Sequence, residues 1–178
     1  MRSCRRQLLI ITDWEMTRLH TLDSSTESGP GVSFPPPMLF ILCGFAGHLV
    51  ECVFLSPGQS AMASFAPAGW GLIVVTGTCL FWALSTFRSA HTAIFPNKRA
   101  NQIINNGPYR FSRNPMYVAL AGIQAGVGIV ACNLWMLLFV PLSLCLVHFL
   151  VVRREEAYLR SEFGDAYRAY CESVRRWI

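Results

Sequence analysis

The chain has 178 residues, 53% of them hydrophobic and only 14% charged, with a formal net charge of +5. That length allows one domain or one small helical membrane bundle, and the composition excludes a water-exposed, highly charged binding domain. The positive charge sits beside the apolar runs, as membrane flanks do, so a nucleic-acid partner is not needed to explain it.

Residues 1–37 are basic, polar and proline-rich, ending in Pro35-Pro36-Pro37, and show no sustained hydrophobic period. They read as a disordered leader, with Leu8–Ile11 too short for a signal-peptide core and Met16 an alternative start. From residue 38 the sequence reads as one membrane domain running to residue 178. Uncharged stretches from Val53 to Phe87 and from Pro115 to Val152 contain no Asp, Glu, Lys or Arg, and Met38 to Leu55 contains only Glu51. Apolar runs of this length without a polar face predict an all-α integral membrane bundle, with spans near 38–55, 69–87, 117–131 and 133–152. The third is short, reaching about 22 Å at 1.5 Å per residue. Its link to the fourth is little more than Cys132-Asn133, which predicts a tight antiparallel hairpin.

Within the first span His48 and Glu51 stand one turn apart. An ionisable pair inside a membrane segment is a functional candidate, here for a substrate pocket, or else a mutually satisfied pair. Gly122 and Gly126, flanked by Ala121 and Ala125, predict close helix packing. His148 lies seven residues before Glu155 on the same helical face; it is either a further substrate-pocket candidate or a satisfied core histidine.

All fifteen Lys and Arg residues fall in three places: before the first span, between the second and third, and after the fourth. The positive-inside rule then places both termini and the 88–116 segment in the cytoplasm of a multi-pass protein. The seven cysteines are dispersed, with no CxxC pair, and read as small hydrophobes; no metal site is expected.

Two segments interrupt the apolar pattern. The first is GPYRFSRNPMY, Gly107 to Tyr117. Gly107-Pro108 marks a turn, Asn114 is placed to cap a helix, and Pro115 suits that helix's first turn. Arg110 and Arg113 beside a helix N-terminus make either an anion site or a lipid anchor. The second is RREEAYLRSEFGDAYRAYCESVRRWI, after the fourth span. Gly164 predicts a break, and Phe163, Tyr167, Tyr170, Val174 and Trp177 form a stripe. That stripe either lies in the headgroup layer or folds back over the 88–116 loop to close a pocket.

Together these segments resemble the integral-membrane methyltransferases related to isoprenylcysteine carboxyl methyltransferase and, more distantly, the phospholipid N-methyltransferases. The matching elements are G-P-Y-R, R-N-P-M-Y, the paired Glu155-Glu156, and F-G-x-x-Y-x-x-Y leading to R-W, over about residues 70–178. The resemblance implies S-adenosyl-L-methionine as methyl donor. It implies cofactor contacts from Tyr109, Arg113, Asn114, Pro115, Tyr117, Glu155, Glu156, Tyr167 and Tyr170. A carboxylate would meet hydroxyls or the ammonium, with one of the adjacent glutamates facing the pocket and the other meeting Arg or solvent. Arg113, or else Arg153 or Arg154, would fork onto the cofactor carboxylate, and the tyrosines would wall the adenine and sulfonium. Many relatives carry His where Asn114 stands, so a proton-transfer role for that position is not carried over and no catalytic residue is assigned. A lipophilic carboxylate or thiolate acceptor, which needs no base, is therefore expected from the membrane. Phospholipid amine methylation and a non-enzymatic descendant are the rivals. No obligate protein partner is evident.

Overall fold

Among the residues that the computed structural model describes, 35–54, 59–89 and 103–177, all regular structure is helical. The leader before residue 35 and the stretch from 90 to 102 lie outside the described residues.

Four apolar helices form the bundle. Helix α1 (Pro36–Val53) starts inside the proline run, where a fixed φ and a missing N–H are harmless. A short α2 (Gln59–Ala63) leads to α3 (Ala66–Ser89), which is 24 residues long. Helix α4 (Pro115–Val130) follows, and α5 (Leu134–Val147) runs through a π-helical turn, His148–Val152, into α6 (Arg153–Ser173). Three helices are long and apolar enough to cross a membrane, and α4 is a shorter apolar one. At 16 residues α4 spans about 24 Å, less than a bilayer's hydrocarbon core of about 30 Å.

Helices α4 and α5 form the tight hairpin that the sequence predicts. Asn133 N donates to Gly128 O at 2.8 Å and Cys132 N to Ile129 O at 3.1 Å, the paired bonds of a Schellman end. Cys132 takes the left-handed position, φ 51°, where glycine is usual. Asn133 then caps α5 by accepting from Met136 N at 2.8 Å. Between the two helices Ser143 Oγ donates to Gln124 Oε1 at 2.8 Å, so a fully buried polar pair pins the hairpin.

Small residues set the other contacts. A Cβ on Gly126 would meet Ile73 Cγ1 at 2.6 Å and Gly69 O at 2.9 Å, so α3 lies on α4 at backbone distance. A Cβ on Gly47 would meet Met136 Cα at 2.8 Å, which fixes α1 against the start of α5. Trp70, Val74, Val75 and Phe81 of α3 face outward, more than half exposed, as side chains in contact with lipid chains do. The packed centre is Phe40, Tyr117, Ala121, Val147, Val151 and Val152. It joins the start of α1, the start of α4 and the end of α5 at one end of the bundle, the end that also carries the basic segments.

Candidate functional site

The site is built at that basic end by two segments that the sequence separates by nearly forty residues. The first begins with a 3-10 turn over Gly107–Arg110. Gly107 has φ 57°, and a Cβ there would lie 2.8 Å from Thr86 Oγ1. Glycine is thus required twice, by the backbone and by the close approach to α3. The turn seats Tyr109, 5% exposed, against Ala83 and Ile104, with its ring edge-on to Phe87 at 5.1 Å.

The second segment is α6 and the extended strap that follows it, residues 174–177. Gly164 breaks α6, as the sequence predicts, with φ 50° and ψ −120°. Beyond that kink the aromatic stripe turns inward. Tyr167 is 2% exposed, and Tyr170 Oη donates to Tyr109 O at 2.8 Å. The strap hangs on the first segment: Arg113 N donates to Arg175 O at 2.9 Å, and Asn114 Nδ2 donates to Arg176 O at 2.9 Å. Of the two readings of the stripe, the structure has the one that folds back over the 107–114 loop.

The adjacent glutamates point different ways, as residues about 100° apart on a helix must. Glu156 is buried and surrounded by cations. Arg176 grips it with two bonds of 2.8 Å, Nε to Oε1 and Nη2 to Oε2. Arg113 Nη1 approaches Oε1 at 3.3 Å and Arg160 Nη2 approaches Oε2 at 3.5 Å. The Arg113 guanidinium also donates to Cys171 Sγ at 2.8 Å. Glu156 therefore ties the loop, the helix and the strap together.

Glu155 faces the tyrosines. Tyr117 Oη donates to its two carboxylate oxygens at 2.9 and 3.0 Å. Burial pushes the Glu155 carboxyl up to about 7, against the lowering effect of the Tyr117 hydrogen bond and with a smaller push from the Glu156 charge. Burial likewise raises Tyr109, helped by Tyr170 and Glu155, and holds Tyr170 at about 12 despite nearby Arg113. Among the described residues, Tyr109 Oη and Arg113 Nε are buried without a hydrogen-bond partner. Buried polar atoms in folded proteins are nearly always satisfied, and these two orphans both lie near Tyr170, with Tyr109 also near Glu155, where a polar ligand could satisfy them.

A sequence profile of the phospholipid methyltransferase family matches residues 65–166. The chain belongs to the phospholipid methyltransferase family. An uncharacterised protein of Haemophilus influenzae is also similar, 37% identical over 68 residues that make up 35% of this chain and the whole of that protein. The match to the phospholipid methyltransferase family starts at α3 and ends inside α6, so it takes in Tyr109, Tyr117 and both glutamates but stops before Tyr170 and the strap.

Several expected residues have different work from that expected. Asn114 occupies the N-cap position of α4, yet its side chain makes no capping bond and instead holds the strap. Arg113 is turned to Glu156 and Cys171 through Nη1, and its Nε is buried without a hydrogen-bond partner among the described residues. Pro115 fills the first turn of α4. His148 begins the π turn, its ring 6.2 Å from Trp177, and lines a groove with Arg176 and Trp177. His48 is exposed and Glu51 buried near the far end of α1, by the start of α5, where Trp135 Nε1 donates to Phe54 O at 2.8 Å. They are thus at the opposite end of the bundle from Glu155. Sequence reasoning did not single out Arg176, Cys171 or Ser112, whose hydroxyl accepts from Asn114 N at 3.1 Å and donates to Arg176 O at 3.4 Å. The signal for Arg176 was the surplus of arginine in the last residues, which has no spacing rule tying it to a glutamate twenty positions earlier; Ser112 and Cys171 gave none.

Proposed function

We propose that the chain is an S-adenosyl-L-methionine-dependent methyltransferase acting on a lipophilic acceptor that bears a carboxylate or thiolate. The observation that carries this reading is the division of the glutamate pair: Glu156 is consumed in holding the site closed, which leaves Glu155 as an ionisable carboxylate among buried tyrosines. When bound, the cofactor supplies a methyl group on a cationic sulfonium. Glu155 offers negative charge to its ammonium or hydroxyls, and Tyr109 Oη offers a donor or acceptor beside it. Arg113 Nε is a donor open to the cofactor carboxylate, and the faces of Tyr109 and Tyr170 suit a cation. Tyr117 orients Glu155. Such a site works mainly by positioning the two reactants.

Phospholipid amine methylation is the second reading, favoured by the family match and by Glu155. A carboxyl with pKa about 7 can take the proton that an ammonium acceptor must lose.

Calorimetric titration of S-adenosyl-L-methionine into the detergent-purified protein, with NADPH as control, tests the cofactor. Labelled methyl appearing in a prenylated carboxylic acid supports the first reading and in ethanolamine lipids the second. Saturable binding with no transfer to either would remove both acceptors. Absence of binding in folded protein would leave a non-enzymatic membrane protein.

A further inference from the structure

A second feature lies beside the strap, on the outer side of the α4–α5 hairpin. An apolar groove of about 600 Å³ is lined by Val118 of α4, Leu144 and Cys145 of α5, and His148, Arg176 and Trp177. Its lining includes none of Tyr109, Tyr117, Glu155 and Tyr170. Because α4 begins and α5 ends at the basic end, the His148, Arg176 and Trp177 end of the groove is at the membrane-surface level, and the aliphatic end points into the bilayer.

Three observations say what covers it. The aliphatic lining is open to the side in a helix pair that packs within a membrane, so hydrocarbon is what it meets. Its polar end is cationic: Arg176 lines it, and the Arg153 guanidinium lies 5.9 Å from the ring of Phe149, another lining residue. Glu156 sets one negative charge against Arg113, Arg160 and Arg176, so that cluster keeps a net charge of 3 − 1 = +2. Finally, His148 Nδ1 is buried without a hydrogen-bond partner among the described residues. A helix turn wound with i→i+5 bonds is the kind of irregularity that re-aims a side chain, and His148 opens that turn.

We propose that this groove holds one chain of an anionic bilayer lipid, its phosphate between Arg153 and Arg176 with His148 supplying a hydrogen bond, and that this lipid braces the strap over the site. Among the described residues the strap is held to the first segment by Arg113 N, Asn114 Nδ2 and Ser112 Oγ and to α6 by the Arg176–Glu156 pair, and Trp177 lies beside His148. A lipid under Trp177 and Arg176 fastens the side that faces the groove. The inference needs a membrane-embedded chain and does not depend on which acceptor is methylated.

The test uses the full chain in detergent, with phosphatidylglycerol and phosphatidylcholine as probes, read by native mass spectrometry and by amide exchange of residues 174–177. Phosphatidylglycerol should be retained in preference to phosphatidylcholine and should slow exchange of the strap. Arg153→Gln, at an exposed position outside the Glu156 cluster, should weaken retention about fivefold, the worth of one cation near a lipid phosphate. Cys145→Trp, also at an exposed position, should fill the groove and abolish the preference. Equal retention of the two lipids, retention indifferent to Cys145→Trp, or strap exchange indifferent to phosphatidylglycerol would each overturn the proposal. Displacement of the lipid by a lipophilic carboxylate at equal concentration would overturn it too, by giving the groove to an acceptor. Because neither readout involves methyl transfer, these outcomes are separate from the fate of the enzymatic reading.

Discussion

Neutralising the two glutamates one at a time separates a structural carboxylate from a binding one. Glu156→Gln keeps the shape but leaves the Arg113 side chain, 12% exposed, without its carboxylate. Breaking a fully buried ion pair by removing one partner costs about 3–5 kcal/mol. The Arg176 and Arg160 side chains are 38% and 61% exposed, so water compensates much of their loss. About 2–4 kcal/mol is then expected, which for a chain of this size lowers Tm by about 5–15 °C. Glu155→Gln should behave in the opposite way. Its carboxyl stands at about 7 in the folded chain against an ordinary 4.5, so the folded state disfavours the ionised form. That penalty is absent below pH 4.5, grows as pH rises to 7 and is complete above it, at up to about 3 kcal/mol. At pH 8 the glutamine should leave Tm unchanged or raise it. Losing one charge-assisted hydrogen bond of about 1.5–3 kcal/mol should at the same time weaken S-adenosyl-L-methionine at least about tenfold. Thermal unfolding in detergent and calorimetric titration of both variants decide it. Equal destabilisation by the two substitutions, or intact binding in folded Glu155→Gln, would refute the division of labour.

The same carboxyl makes binding pH-dependent: with a pKa of about 7, affinity for the cationic cofactor should fall about tenfold for each pH unit below 7 and flatten above it, with proton uptake or release visible in buffers of different ionisation heat. A flat profile from pH 5 to 8 would show that Glu155 does not meet the ligand's charge. Asn114→Ala removes the amide that holds Arg176 O and should cost about 1 kcal/mol while speeding amide exchange in the strap; unchanged exchange would make that bond idle. Gly126→Val should destabilise by about 1–3 kcal/mol or more, because its side chain meets Ile73 and the Gly69 carbonyl. Gly71→Ala, with open space around it, is the control and should be nearly silent in the same melts. In a double-mutant cycle, Gln124→Leu and Ser143→Ala should couple by up to about 1.7 kcal/mol, and strict additivity would show the pair is not formed.

The membrane bundle was legible because lipid imposes a simple rule, that a spanning segment be apolar over its length and hydrogen-bonded to itself. Charge-free runs and the two-residue link at Cys132-Asn133 obey that rule, and they gave the helices and hairpin to within a few residues. Gly107, Pro115 and Gly164 were legible for a related reason, since each acts through its own backbone. What composition and spacing did not carry was the choice of partners. Whether Glu155 or Glu156 faces the tyrosines depends on the phase of α6, and that phase passes through the π turn at His148–Val152, which shifts the register relative to an unbroken α-helix. The local pattern makes Asn114 a cap because caps are local; its real bond is to a carbonyl sixty-two positions away.

That long-range bond bears on why an asparagine stands in the turn. A side chain at position 114 is 8% exposed and must satisfy the Arg176 carbonyl as a donor. The asparagine amide donates at any pH, whereas a histidine donates from a given nitrogen only in the right tautomer or when charged. Asparagine is thus a permanent strap fastening, and Glu155, at about 7, is the carboxyl beside the tyrosines that titrates near neutral pH. The proton transfer that the amine reading requires would fall to Glu155. Asn114→His should therefore leave the pH dependence of binding set by Glu155, while making the strap's amide exchange vary with pH where it did not before.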